Sequence, residues 1–115
     1  LVILVNSKLI IMSVLVEFAM FPTDKGGSVS EYVSKIIQMF KESDVPYQLT
    51  PMGTIFETKN MKDALSVIQK AYDVLEPHTE RIYSTVKFDV KKNKEGSMKQ
   101  KIQSIRNKIG DDINT

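Results

Sequence analysis

The sequence predicts an α+β fold, a single domain in which helices cover one face of a four-stranded antiparallel sheet. Three observations support this prediction. Four segments have the two-residue period of strands, two segments between them carry apolar residues at helical spacing, and a Pro-Met-Gly corner at Pro51–Gly53 joins the middle two strands. At 115 residues the chain is long enough for one hydrophobic core, but short enough that association would add to its stability.

The first strand and the first helix follow from two different periods. The first strand is predicted to end at Pro22, and along it two sets of residues alternate: Val14, Val16, Phe18 and Met20 with Leu15, Glu17, Ala19 and Phe21. Ser28 and Glu31 have the spacing of a capping box, so we expect a helix to open at Ser28. The apolar stripe of this helix extends through Val29–Phe40.

The middle strands flank the Pro-Met-Gly corner within Tyr47–Glu57. Pro51 has no amide hydrogen for a ladder, and Gly53 tolerates backbone angles closed to other residues, so both favour a bend over a mid-strand position. Asn60 is expected to start a second helix, which ends before Pro77 because proline cannot continue it.

The last predicted elements are a fourth strand at Ile82–Val90 and a third helix that Ser97 and Gln100 are expected to cap and Gly110 to end. Alternation along the strand predicts that its apolar residues face the core. These are Ile82, Val86, Phe88 and Val90.

The resulting order, β-α-β-β-α-β with an extra C-terminal helix, is that of the ferredoxin-like fold. Two helices then cover one sheet face and leave the other, the open face, uncovered. Four of its residues are apolar or aromatic: Leu15, Ala19, Phe21 and Tyr83. A half-apolar open face of this kind indicates cover by another subunit or a ligand.

Composition excludes several kinds of site. There is no cysteine, so thiol catalysis, disulfides and cysteine-based zinc sites are impossible, and the single histidine, His78, cannot build a multi-histidine metal site. The net charge of +2 conceals a basic cluster within residues 87–108. This cluster lacks aromatic stacking residues apart from Phe88, so a solvated helix face is preferred to a nucleic-acid interface.

The first eleven residues are apolar in short, interrupted runs, too short for a membrane span of about 20 residues. No basic leader or cleavage site indicates a signal peptide. We interpret Met12 as the natural start, residues 1–11 as a non-native or upstream extension, residues 12–110 as the domain and residues 111–115 as a tail. If ordered, the extension would suit an extra edge strand or a contact between chains.

The candidate chemistry lies near the corner and on the central strands. Thr50 and Thr54 flank the corner, and Glu57 lies further along, so a small polar or cationic ligand is one interpretation. The other is that the hydroxyls satisfy backbone groups. Glu17 and Glu57 would lie on adjacent strands and hold a cation together, or each would pair with Lys87 or solvent. Phosphate-binding loops and nucleophile elbows are missing from the sequence, so a binding domain is favoured over an enzyme.

Four segments resemble the small thiamine-binding protein family of the YkoF-like superfamily. They are Ser13–Pro22, Ser28–Val33, Tyr47–Thr54 and Ser84–Asp89, and the resemblance extends from about Met12 to Gly110. It implies a ferredoxin-like domain, assembly into dimers or tetramers through the sheets, and binding of thiamine or its hydroxymethylpyrimidine part without catalysis. The loop Asp24–Gly27 departs from relatives, so ligand contacts there are not carried over.

The resemblance implies a ligand site as well. Thiamine has a cationic thiazolium, which carboxylates suit, and an aminopyrimidine, which hydroxyls and backbone groups suit. Lys87 would favour an anionic or phosphorylated form of the ligand. The expected ligand-binding residues are Glu17, Thr50, Met52, Gly53, Thr54, Glu57, Thr85 and Lys87.

We therefore expect a cytoplasmic, non-enzymatic binding protein for thiamine or a related pyrimidine, which forms a homo-oligomer and needs no cofactor, metal, nucleic acid or membrane. The alternative is a self-assembling interaction module without a small-molecule ligand. An enzyme that uses carboxylates is a third interpretation.

Overall fold

The computed structural model describes residues 2–5, 8–94 and 96–115. Its strands and helices follow one another in the predicted order, with one additional strand at the start. In chain order the elements are β1 (Val2–Val5), β2 (Lys8–Pro22), α1 (Ser30–Lys41), β3 (Tyr47–Thr50), β4 (Gly53–Thr58), α2 (Met61–Leu75), a 3₁₀ turn (Glu76–His78), β5 (Ile82–Lys92) and α3 (Ser97–Ile109).

The main sheet has the spatial order β5-β2-β4-β3, and every neighbouring pair of strands is antiparallel. This is the ferredoxin-like arrangement, so the predicted fold is confirmed. The first segment of β2 also pairs with β1, where Val2 lies opposite Ile11. The side chains of residues 1–11 lie outside the described part of the structure. The expected contact of this apolar segment with another chain therefore also falls outside the described part.

The core lies between the sheet and the pair α1 and α2. Alternate residues of β2 from Val14 to Met20 are buried on this side. The rings of Phe18, Phe40 and Phe56 meet with centroids 5.5 to 6.1 Å apart, in tilted or edge-on geometries that aromatic pairs favour. The period-2 pattern of β2 therefore identified its buried face correctly.

The fourth predicted strand is only partly covered. Val86 packs against the core, but Phe88 is 40% exposed and Val90 is 43% exposed, so their predicted core positions are wrong. β5 is an edge strand that pairs with β2 alone, whereas α1 and α2 pack on β2 and β4. Phe88 and Val90 thus lie on the helix side of the sheet, beyond the cover that the helices provide.

The starts of the helices match the predictions unevenly. Asn60 caps α2 as expected, because its side-chain oxygen accepts a 2.7 Å hydrogen bond from the Asp63 amide. The predicted capping box at Ser28 is wrong. α1 begins at Ser30, and Val29 occupies the N-cap position, where its carbonyl accepts the first helical hydrogen bonds. Among the described residues no side-chain hydrogen bond caps this helix.

α3 lies across part of the open face instead of leaving it bare. Its first backbone amides contact the Glu57 carboxylate, and Lys101 forms a 3.1 Å ion pair with Asp89. Glu57 and Asp89 both pair with Leu15 and share its face of the sheet. The expectation of a wholly uncovered face is therefore corrected to a half-covered one. None of the described helices is long and apolar enough to cross a bilayer.

Candidate functional site

The corner between β3 and β4 is held by a single hydroxyl. Thr50 Oγ1 donates to the Gly53 carbonyl oxygen at 2.9 Å and accepts from the Gly53 and Met52 amides at 3.1 and 3.3 Å. These three bonds use the hydrogen-bonding capacity of the hydroxyl within the turn. Of the two interpretations of Thr50, the structure supports the one in which it satisfies backbone groups.

Gly53 is required for close approach between strands. A Cβ at this position would lie 2.7 Å from the backbone oxygen of Phe18, well inside contact distance, and the backbone φ of Gly53 is not in the positive region. The sequence predicted the bend correctly, but the reason for glycine is the packing of β4 against β2 and not an unusual dihedral angle.

Beside the corner lies a cavity of about 270 Å³, the corner cavity. Thr54, which pairs with Phe18 on the helix side and is only 5% exposed, contributes to its wall. Met52 and Leu49 also line it and are 87% and 56% exposed. The full lining consists of Phe18, Ala19, Met20, Phe21, Val29, Val33, Ile36, Leu49, Thr50, Pro51, Met52, Gly53 and Thr54. The cavity is thus mainly apolar with two hydroxyl-bearing residues.

Glu17 and Lys87 face each other across β2 and β5 on the open face. Lys87 Nζ donates to Glu17 Oε1 at 3.1 Å, and their side chains are 79% and 47% exposed. An ion pair this exposed contributes little to stability, about 0 to 1 kcal/mol. The interpretation that Glu17 pairs with Lys87 agrees with this geometry, and both groups remain accessible to solvent.

Glu57 is engaged very differently. One of its oxygens accepts from the Ser13 hydroxyl at 2.8 Å and from the Ser97 amide at 3.0 Å, and the other accepts from the Met98 amide at 3.0 Å. The carboxylate thereby caps α3 from a neighbouring strand, where the positive end of the helix dipole stabilises it. We call this arrangement the Glu57 anchor.

The predicted cap of α3 by Ser97 and Gln100 is wrong. Gly96 occupies the N-cap position and provides no side-chain hydrogen bond, and Ser97 Oγ has no partner among the described atoms. The sequence signal that could have indicated the Glu57 anchor was the lack of a local cap for α3. This helix starts after a glycine and has no acidic residue in its first turn, so its first amides need a hydrogen-bond acceptor from elsewhere in the chain.

Thr85 lies on the other, bare half of the open face, opposite Ala19. Next to this pair, Phe21 and Tyr83 are also cross-strand partners, with ring centroids 5.9 Å apart. Tyr83 is 52% exposed. This half of the face therefore presents an aromatic pair and the exposed Thr85 side chain to solvent.

A second and larger cavity, of about 870 Å³, lies between α2 and the first turn of α3, and we call it the α2–α3 groove. Its lining is Asp44, Val45, Pro46, Glu57, Thr58, Lys59, Asp63, Ser66, Val67, Lys70, Gly96, Met98, Lys99 and Gln100. Of the predicted site residues only Glu57 contributes to it. Sequence reasoning missed this groove because its walls come from four separate segments, and residues 96–100 are distant along the chain from the other three.

The loop after β2 is fixed by a carboxylate. Asp24 accepts hydrogen bonds from the Thr79 hydroxyl and from the Glu80 amide, the latter at 2.9 Å. These two bonds favour the ionised form and hold the pKa of the Asp24 carboxyl below its usual 3.8, although the side chain is exposed. The loop is thereby fastened to the turn before β5.

The predicted site residues thus fall into three groups. The corner cavity brings together Thr50, Met52, Gly53 and Thr54. Glu17, Thr85 and Lys87 share the open face, and Glu57 lies under α3. The two acids lie on adjacent strands as expected, but each has its own partners. Within residues 2–5, 8–94 and 96–115, no group of three histidine, aspartate or glutamate side chains could hold a metal ion.

Comparison with solved structures supports the fold. The crystal structure of protein MJ1052 from Methanocaldococcus jannaschii superposes with a TM-score of 0.72 at 32% identity, over 81% of this chain and 95% of that one. A candidate thiamine biosynthesis/salvage protein from Thermotoga maritima, TM0486, gives a TM-score of 0.63 at 19% identity, over 82% and 99% of the two chains. At that identity the second likeness concerns the fold alone.

Comparison of sequences also identifies MJ1052 as a relative. UPF0045 protein MJ1052 of M. jannaschii is 33% identical over 92 residues, which cover 80% of this chain and 91% of the relative. UPF0045 protein YqgV of Bacillus subtilis is 31% identical over 83 residues, or 68% and 79% of the two chains. The profile of a family described as thiamine-binding protein matches residues 16–106, from the middle of β2 to the last turns of α3. The chain therefore belongs to the thiamine-binding protein family.

Proposed function

We propose that this protein binds thiamine or its hydroxymethylpyrimidine part, without catalysis, and that the pyrimidine ring occupies the corner cavity. The observation that carries the proposal is the cavity itself, in which the nearly buried Thr54 lies in a mainly apolar wall. A few polar groups placed in an apolar pocket are the usual composition of a small-molecule site. Family membership supports the choice of ligand.

The size of the corner cavity favours one ring over the whole vitamin. Its volume of about 270 Å³ lies just below the range of about 300–1,000 Å³ that is typical of ligand pockets. Met52 lines it with a flexible and highly exposed side chain, which would adapt to an aromatic ring. Thr54 and exposed backbone groups at the corner would pair with the ring nitrogens and the amino group.

The cationic half of thiamine would have to lie outside this cavity, since its described lining contains no carboxylate. In this proposal Glu17, Lys87 and Thr85 on the open face remain candidates for a second contact with the ligand. The ion pair between Glu17 and Lys87 is exposed and weak, so contacts with a ligand can replace it. Glu57 contributes by fixing α3, because its oxygens are already engaged. The proposed location is the cytoplasm, since a chain without cysteine needs no oxidising compartment.

Calorimetric titration with thiamine, hydroxymethylpyrimidine and thiamine phosphates tests the proposal. Thr54→Val keeps the branched shape but removes the hydroxyl, and we expect it to weaken binding about tenfold. Thr23→Val is the matched control, because Thr23 is exposed and lines neither cavity, and it should leave the affinity within about twofold. Thr85→Val reports on the second contact on the open face. If none of the compounds binds at millimolar concentration, the proposed ligand is wrong. If only Thr85→Val weakens binding, the site is on the open face.

A second candidate function, self-assembly, is favoured by exposed apolar side chains on the bare half of the open face and on α3. On the bare half Tyr83 is 52% exposed and Phe21 lies beside it, and on α3 Ile105 and Ile109 are 46% and 66% exposed. A two-fold contact that buries about 800 Å² per partner would remove these groups from water, and two such dimers would form a tetramer. The assembly would act either as a module by itself or as the frame of the ligand site.

Light scattering on a chain that starts at Met12 tests this assembly. A dimer or tetramer at micromolar concentration is expected, and Phe21→Ser with Tyr83→Ser should reduce it to a monomer while circular dichroism stays unchanged. A monomer in the unsubstituted chain would contradict the proposal.

A further inference from the structure

We propose that the free edge of β5 pairs with β5 of a second copy of this chain, antiparallel and around a two-fold axis at Phe88. The two main sheets then form one continuous sheet across the contact. This surface is the edge of the sheet and not its open face. The inference therefore goes beyond the proposed function, and it rests neither on the ligand nor on assembly through the open face.

The outer edge of β5 is long and regular. The strand extends over eleven residues, Ile82–Lys92, and in the described part of the chain β2 alone pairs with it. Its register with β2 is continuous from end to end, and it contains no proline, so neither a bulge nor a missing amide interrupts the edge. About half of its backbone amides and carbonyls point away from β2. Such a row of unpaired groups is a template for another strand.

Two exposed apolar side chains stand along this edge on the helix side. Phe88 and Val90 remain exposed because α1 and α2 pack on β2 and β4 and leave β5 uncovered. Val86, two residues before Phe88, is half-buried against the core. A strand added to the edge would lie beyond α1 and α2, beside these three side chains, and would cover the two that the core leaves exposed.

The symmetry of a two-fold contact restricts the register. Two identical antiparallel strands of one sheet are related by an axis perpendicular to the sheet, so the axis passes beside one residue, which pairs with its own copy. With the axis at Phe88, its ring lies opposite the ring of the second copy. Val86 then lies opposite Val90 of the partner subunit, once on each side of the axis. All the apolar side chains at this edge therefore meet apolar partners.

Charges on the open face favour the same register. With the axis at Phe88, Lys87 lies opposite Asp89 of the partner subunit, and the symmetry repeats this pair of opposite charges. Within its own chain Lys87 contacts Glu17, and Asp89 contacts Lys101, each at 3.1 Å. A carboxylate can accept from two ammonium groups, so the new pairs add to the existing ones and alternate with them in sign.

Neighbouring registers are unfavourable. An axis one residue earlier would place Lys87 opposite its own copy, and an axis one residue later would do the same for Asp89. Like charges directly opposite each other destabilise a strand pair. An axis two residues away in either direction would place Phe88 opposite Ser84 or Lys92 of the partner subunit, and the aromatic contact would be lost.

The contact by itself is expected to be weak. One pair of edge strands should bury less than the about 800 Å² per partner of a stable interface, so pairing should be populated only above micromolar concentration. In the assembly described above, it would be the contact that joins two open-face dimers into a tetramer. Covalent trapping suits a weak contact, and this chain has no native cysteine to interfere.

Oxidation of single-cysteine variants tests the position of the axis. Phe88→Cys places two thiols at the axis with Cα atoms about 4.5–5.5 Å apart, a distance that a disulfide spans. Val90→Cys is the matched control, because this exposed position is on the same side of β5 but its two copies would be about 13 Å apart along the strands. We expect Phe88→Cys to form linked dimers at least about tenfold faster. Equal rates would overturn the inference.

A mixture of two variants tests the register without a change at Phe88. Val86→Cys and ¹⁵N-labelled Val90→Cys are oxidised together, and the masses of the linked dimers are measured. Mixed dimers should dominate, because residue 86 of one copy lies opposite residue 90 of the other in this register. An excess of dimers of either variant with itself would contradict it.

Charge reversal tests the pairing of Lys87 with Asp89 of the partner subunit. In the Phe88→Cys chain, Lys87→Glu should slow cross-linking about tenfold, since the symmetry counts the new repulsion twice. Lys91→Glu changes the net charge equally but lies opposite Thr85 of the partner subunit, so it should change the rate less than about twofold. Adding Asp89→Lys to Lys87→Glu should recover most of the rate. Equal slowing by the two single reversals, or no recovery, would overturn the pairing.

Phe21→Ser with Tyr83→Ser separates this inference from assembly through the open face. In that background Phe88→Cys should still cross-link faster than Val90→Cys, because the substituted side chains lie on the open face, away from the axis. Loss of this difference would overturn pairing through β5 while leaving the open-face assembly intact. Calorimetric titration of thiamine with Thr54→Val reports on the corner cavity independently of both contacts.

Discussion

The two ends of β4 are held by different kinds of hydrogen bond. At the Gly53 end, Thr50 closes a turn by bonding groups two and three residues away. At the other end, Glu57 reaches amides 40 and 41 residues further along the chain. The first tie is neutral and local, whereas the second is charged and joins the sheet to a separate helix.

This difference explains where each cavity comes from. The local tie shapes the corner, and the small apolar corner cavity is mostly built from its neighbours along the chain and from β2. The distant tie holds α3 against the sheet, and the larger α2–α3 groove exists only because that helix is placed there. Glu57 is suited to holding α3 because its charged carboxylate accepts three hydrogen bonds, and charge-assisted hydrogen bonds are about twice as strong as neutral ones.

Glu57→Ala should have the largest effect. It removes three hydrogen bonds to a carboxylate that is partly buried, so we expect the free energy of unfolding to fall by about 2–4 kcal/mol. Hydrogen exchange of α3 amides should lose protection before that of the sheet. Thermal unfolding and exchange measure the two effects.

Glu17→Ala is the control for this variant, because Glu17 lies on the same face and forms only an exposed ion pair. Its expected cost is below about 1 kcal/mol. If the two alanine variants were equally stable, the Glu57 anchor would not hold α3 in solution.

Gly53→Ala comes next. The added methyl carbon would lie 2.7 Å from the Phe18 backbone oxygen, so β4 has to move away from β2. Such overpacking costs about 1–3 kcal/mol, measurable by urea unfolding. At Gly27 a methyl would meet nothing within 4 Å, so Gly27→Ala should be neutral or slightly stabilising. Equal effects at both glycines would show that the close approach is not rigid.

Thr50→Ala should lower the free energy of unfolding by less than Glu57→Ala or Gly53→Ala, by about 0.5–1.5 kcal/mol. The hydrogen bonds that it removes are neutral, and the freed amides of the turn can form hydrogen bonds with water instead. Urea unfolding measures this cost. Hydrogen exchange should show a local effect at the corner while α3 keeps its protection. Loss of protection in α3 would mean that the two ends of β4 are coupled and would break the comparison.

Asp24→Asn should have the smallest effect, and one that depends on pH. Asp24, like Glu57, is a carboxylate that binds a distant segment, but it is exposed. Its pKa is lowered on folding, so its contribution is present above the usual value of 3.8 and is lost as the pH falls through the lower pKa of the folded state. The stabilities of the two proteins should converge in acid. A difference that persists there would rule out the ionised carboxylate as its source.

The sequence predicted those features that depend on neighbours along the chain. The alternation in β2 indicated its buried residues, Asn60 identified the start of α2, and Pro51 with Gly53 identified the corner. The position of α3 was not predictable in this way. It depends on Glu57 and Ser97 meeting across 40 residues, and a strand pattern does not show which of its acids will find a helix. Phe88 was misplaced for a related reason, because periodicity indicates a face but not whether helices cover it.

The pairing of β2 with β5 also constrains how the protein folds. The central strand, β2, meets its partner through eleven residue pairs, and Glu17 and Lys87 in that ladder are 70 residues apart. Such long-range pairing raises the contact order, so refolding is expected to be slower than in helical bundles of similar size. During synthesis, the most apolar strand of the sheet must wait with one edge unpaired until residue 92 has emerged from the ribosome.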